Sequence, residues 1–132
     1  MTEDPNSWPP APVLLAVSAG GVLGAVARYG IGVAWPPGPR GFPWATWTIN
    51  TTGCLLIGVL MALITRYGWG SGLIRPFWGV GVLGGYTTFS TTSVGVLQTA
   101  PGLALIYLGM TLIGALLAVW AGTAATDAVL RR

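Results

Sequence analysis

Apolar residues run from about Val13 to Ala34 with Arg28 as the only charge, and similar runs follow at about Thr46–Ile64, Pro76–Leu97 and Pro101–Ala125. About 20 helical residues at 1.5 Å each cross a hydrocarbon layer of about 30 Å. The pattern therefore predicts an all-α integral membrane protein with four transmembrane helices, at about 13–34, 46–64, 76–97 and 101–125. The segment from Trp35 to Pro43 holds four prolines and two glycines and must be a loop. Arg66 to Arg75 is a second, polar connection. Residues 1–12 read as a polar N-terminal segment, 13–126 as one membrane domain and 127–132 as a short cytoplasmic tail. Glu3 and Asp4 stand where a signal peptide would carry basic residues, so the first run reads as a helix of the protein itself.

The third run is unlike the others. Its middle, Gly84-Gly85-Tyr86-Thr87-Thr88-Phe89-Ser90-Thr91-Thr92-Ser93, is too polar and too β-branched for a continuous helix. A break is expected there, at membrane depth. Lipid cannot bond to the freed N–H and C=O groups, so protein, water or an ion must.

Composition agrees with this picture. The chain is 53% hydrophobic and 7% charged, against roughly a quarter charged in soluble domains. Apart from Arg28 the arginines lie outside the apolar runs, scattered and forming no patch, which argues against a nucleic-acid partner and for flanking charge around a lipid bilayer. Trp8, Trp35, Trp44, Trp47, Trp69 and Trp78 lie near the expected helix ends, as an interfacial belt does. There is no histidine, and Glu3, Asp4 and Asp127 lie outside the expected spans. These absences argue against an enzyme. They also weigh against a small proton-coupled multidrug exporter, which needs an embedded carboxylate. Cys54 is alone and reads as a small packing residue.

Small residues supply a reason for the helices to associate. Gly20 and Gly24 form one close-packing pair, and Gly114, Ala118 and Gly122 form a longer stripe. The polar residues within the spans are fewer. Asn50, in Thr48-Ile49-Asn50-Thr51-Thr52-Gly53-Cys54, needs a cross-helix partner or a polar cavity. Tyr107 and Thr111 are four apart and share a helix face. Arg28 shares a face with Gly24 and is the one positive charge that would bias a polar path toward an anion.

Three segments carry a resemblance: Gly20-Gly21-Val22-Leu23-Gly24-Ala25-Val26-Ala27-Arg28-Tyr29, then Asn50-Thr51-Thr52-Gly53-Cys54, then Gly84-Gly85-Tyr86-Thr87-Thr88-Phe89-Ser90-Thr91. In order and spacing they resemble the motifs of the Fluc (CrcB) fluoride channels, with similarity from about Gly20 to Gly122. The resemblance implies a passive fluoride exporter, built as an antiparallel dimer of four-helix subunits with two pores and a structural sodium ion at its centre. It puts the sodium ligands at the backbone carbonyls of Gly84 and Thr87, two from each subunit. Along the fluoride pathway it implies Asn50 as a donor, Phe89 offering its ring edge, and Ser90, Tyr107 and Thr111 offering hydroxyls, with Arg28 biasing the path toward anions.

One departure bears on assembly. The family pattern has a second phenylalanine three residues after the first, and Thr92 stands there. Charge bears on it too. With four spans, Arg66, Arg75, Arg131 and Arg132 fall on one side and Arg40 on the other. This places both termini in the cytoplasm and the chain in the plasma membrane in one orientation. An antiparallel dimer then favours a heterodimer with a related subunit over a homodimer. The alternative is a partner subunit that does not itself conduct.

Overall fold

The computed structural model describes residues 9–36, 38–69 and 72–131, and it is helical throughout its regular parts. Helix α1 spans Ala11–Ala34 and begins on Pro10, with a proline in its first turn, where a missing N–H costs nothing. Helix α2 spans Trp44–Tyr67 and stops at Gly68, whose φ of 66° turns the chain out of the helix. A long helix, α5, spans Pro101–Leu130. It runs past the expected end near Ala125 because nothing between Thr126 and Leu130 breaks it, so Asp127 sits on its last turns rather than in a tail. These three helices are long and apolar enough to cross a membrane.

The third run is built in pieces. A π-helix spans Arg75–Leu83 and passes into a short α3, Gly84–Tyr86. Thr87 and Thr88 are extended, with ψ of 155° and 123°, and α4 then spans Phe89–Gln98. The π-helical winding had no counterpart in the sequence reading.

Packing follows the glycines. Helix α1 lies along the π-helix and α3, while α2 lies along α5. A Cβ built on Gly24 would fall on the Val82 carbonyl oxygen, and one on Gly85 on the Gly21 carbonyl. Across the other pair, Gly58 meets Val119 and Gly122 meets Leu55 in the same way. The expected stripes at Gly20 and Gly24 and at Ala118 and Gly122 thus pack as small residues should. Gly114 instead meets the Trp47 indole in ordinary contact, and Gly58, the partner of the α5 stripe, was not singled out in the sequence.

Outside these seams the surface is apolar. Leu97, Leu105 and Trp120 are 85%, 75% and 70% exposed. A helix surface apolar on nearly every side fits a hydrocarbon solvent and not water.

Candidate functional site

The break at Thr87 and Thr88 is held by side chains that replace the missing helical bonds. Asn50, on α2, accepts from Thr88 N–H through Oδ1 at 2.8 Å. Its Nδ2 donates to Thr88 O at 2.9 Å and to Thr92 Oγ1 at 2.8 Å. The Thr92 hydroxyl in turn donates to Thr88 O at 3.0 Å, and Thr92 is only 2% exposed. Thr88 also caps α4, its Oγ1 accepting from Thr91 N–H at 3.1 Å.

This rerouting leaves particular carbonyls without their helical donors. Thr88 N–H would normally close a turn onto Gly84 O, but it goes to Asn50. Thr91 N–H would normally reach Thr87 O, but it goes to Thr88 Oγ1. Gly85 O is taken by Arg28, whose Nε donates to it at 3.1 Å. The two donors diverted are those that would reach the carbonyls of Gly84 and Thr87, the residues at which the resemblance puts cation ligands. Gly84 is exposed, and nothing lies within 4 Å of where its Cβ would stand.

Two clefts flank the break. One, of about 460 Å³, is lined by Asn50, Thr87, Phe89, Thr92, Leu108 and Thr111 among others. The other, of about 480 Å³, holds Arg28, Tyr29, Thr46, Thr88 and Thr91. Of the pathway residues expected from the sequence, Asn50, Phe89 and Thr111 come together in the first cleft. Arg28 lies in the second. Ser90 is exposed beside Phe89, which is itself 82% exposed. Tyr107 is fully buried, one turn before Thr111, with its ring edge-on to Phe42 at 5.2 Å.

The hydroxyls of Tyr107 and Thr111 are buried without a hydrogen-bond partner among the described residues. For Thr111 this is unusual here. Thr52, Thr92, Thr99, Thr123 and Thr126 all donate to the carbonyl four residues back, while Thr111 does not. A buried hydroxyl with no partner costs roughly 1–3 kcal/mol.

Besides the bond from Arg28 to Gly85 O, three contacts were not anticipated. Thr88 caps α4, a role that a hydroxyl residue just before a helix could have signalled. Tyr86 O–H lies 3.0 Å from Thr52 Oγ1, whose own proton goes to Thr48 O at 2.7 Å, so Tyr86 is the donor. The third is the bond from Asn50 to Thr92, which depends on two residues 42 apart in sequence.

Fold and site together define a helical, multi-pass membrane protein with an interrupted polar segment between its helices. Residues 15–123 match the family model described as CrcB-like protein, Camphor Resistance (CrcB). The chain is 49% identical over 130 residues to a fluoride-specific ion channel FluC 2 of Thermobifida fusca, covering 96% of this chain and 94% of that one. It is 50% identical over 117 residues to a FluC 2 of Nocardia farcinica, covering 86% and 84%. With a fluoride-specific ion channel FluC 1 of Streptomyces coelicolor it shares 46% over 129 residues, covering 92% and 81%. The chain belongs to the CrcB family.

Proposed function

We propose that this chain is a subunit of a passive, fluoride-selective channel that lets fluoride leave the cytoplasm. The observation that carries the reading is the pair of buried, unpartnered hydroxyls on Tyr107 and Thr111, of which Thr111 lines the cleft that holds Phe89 and Tyr107 lies one turn before it. Fluoride gives up its water only if other donors take its place, and neutral hydroxyls do so without trapping it as a buried cation would. Phe89 adds the positive edge of its ring. Ser90 extends the line of hydroxyls, and Arg28 raises the local anion concentration from the neighbouring cleft.

The working unit in this reading is an antiparallel dimer of four-span subunits, with the third span interrupted at Thr87 and Thr88. The exposed Gly84 and the diverted helical donors support a sodium site of four carbonyls, Gly84 and Thr87 from each subunit. A bound sodium ion would supply positive charge to oxygens that lipid cannot satisfy. Both termini face the cytoplasm, since Arg66, Arg75 and Arg131 share that side. One fixed orientation, together with Thr92 in place of a second aromatic ring, favours a related subunit of opposite orientation as the partner.

A second reading, a partner subunit that does not itself conduct, draws on Asn50. Both of its amide protons are bonded within the subunit. A proton-coupled exporter is disfavoured, since Asp127, the acid among the described residues, lies near the end of α5.

Fluoride efflux from liposomes separates these readings. Efflux is expected when the chain is co-reconstituted with a subunit carrying both phenylalanines and the opposite charge bias, and little is expected from the chain alone. Efflux from the chain alone equal to that of the mixture would remove the case for a heterodimer. No efflux beyond that of the partner alone would identify a nonconducting subunit.

A further inference from the structure

Thr92 is buried, and its hydroxyl has two bonds: it donates to Thr88 O and accepts from Asn50 Nδ2. A carboxamide nitrogen has two protons. One of Asn50's goes to Thr88 O, which also accepts from the Thr92 hydroxyl. The other goes to Thr92. The first is thus a bond to a backbone carbonyl that has a second donor. The second is held only by a side chain.

Orientation of the amide does not need Thr92. Thr88 N–H already requires the oxygen of Asn50 on its side, and Thr88 O requires the nitrogen on the other. The Thr92 hydroxyl therefore does two things, taking the remaining amide proton and donating to Thr88 O; Thr92→Ser keeps both bonds and Thr92→Val removes both. Both residues line the cleft that contains Phe89 and Thr111.

We infer that Thr92 is a positioning residue that competes with the permeating anion for the second Nδ2 proton of Asn50, so that Asn50 is closed as a donor in this chain unless Thr92 releases it. This rests on the fluoride reading for the identity of the anion, but not for the bond itself. A small halide, fluoride above all, is the ligand that would fit a single N–H donor beside an aromatic edge.

The test uses the full chain in lipid bilayers with asparagine labelled by ¹⁵N at the side-chain amide. The sequence has two asparagines, Asn6 and Asn50, so an Asn6→Gln background leaves one signal. Without fluoride, both Asn50 amide protons should resonate as bonded in the parent and in Thr92→Ser, and one should move to the unbonded position in Thr92→Val. Titration with sodium fluoride, against sodium gluconate, should then shift the Asn50 signal in Thr92→Val and leave the parent and Thr92→Ser unmoved. In liposomes with the partner subunit, Thr92→Val should raise fluoride efflux about fivefold, the factor one neutral hydrogen bond is worth. That gain should vanish in an Asn50→Ala background. If Thr92→Val does not insert, Thr92→Ala carries the same comparison.

A parent signal that moves with fluoride as far as the variant's would overturn the inference. So would an amide signal in Thr92→Val that keeps both bonded protons, or an efflux gain that survives the loss of Asn50. Absence of efflux from every preparation would instead remove the channel reading, while the fluoride-free amide signal still decides whether Thr92 holds the proton.

Discussion

Asn50 bonds to both backbone groups of Thr88, accepting from its N–H at 2.8 Å and donating to its C=O at 2.9 Å. One side chain on α2 thus replaces the helical bond that Thr88 N–H gives up at the interruption and adds a donor to Thr88 O.

Asn50→Leu should destabilise the protein by about 1–3 kcal/mol, since Thr88 N–H would be left unpaired away from water while Thr88 O keeps the Thr92 hydroxyl. Asn50→Asp should be intermediate, because a carboxylate still accepts from Thr88 N–H but offers no proton to Thr88 O. Unfolding in mixed micelles, followed by circular dichroism, would order the parent, Asp and Leu forms. Equal stability for all three would show that the break holds without Asn50.

The glycine seams give a prediction with an internal control. A Cβ on Gly24 would meet the Val82 carbonyl and the Tyr86 amide, whereas one on Gly30 would meet open space. Gly24→Ala should therefore push α1 away from the π-helix and cost about 1–3 kcal/mol, as overpacking does. Gly30→Ala should leave stability the same or slightly higher, because alanine favours the helix. Thermal stability in detergent, read by the onset of aggregation, would compare them.

Tyr107→Phe and Thr111→Val should separate function from stability. Each deletes a buried hydroxyl that has no partner, so neither should lower the melting temperature, and either could raise it by removing an unpaired polar group. Fluoride efflux should fall about fivefold or more for each, the equivalent of one lost hydrogen bond of about 1 kcal/mol. A variant that melts lower and conducts normally would show that its hydroxyl serves the fold.

The sequence made much of this legible, and the reason differs by element. Helices α1, α2 and α5 are long apolar runs that each begin at a proline, and α2 also stops at a glycine, whereas α5 meets no breaker and overruns its expected end. The interruption was visible as a cluster of threonines and serines. Its position at Thr87 and Thr88 was not, because Asn50 sets it from another helix. For the same reason the bond from Arg28 to Gly85 O and the role of Thr92 escaped a linear reading. Arg28 had been grouped with Asn50 and Phe89 along one path, and it lies instead in the cleft on the other flank of the break. The π-helical winding left no mark in hydropathy, since its residues are as apolar as those of an α-helix.

The interruption is also where the chain changes neighbours: before it the π-helix and α3 lie on α1, and after it α4 lies on α5. Two extended residues set the phase between those halves. Each helical residue turns the chain by about 100°, so inserting or deleting one residue between Tyr86 and Phe89 would swing α4 about its axis and carry Phe89 away from its cleft, even with every other contact intact. The two-threonine spacer is in effect a ruler, and this protein should tolerate changes of residue type there far better than changes of length.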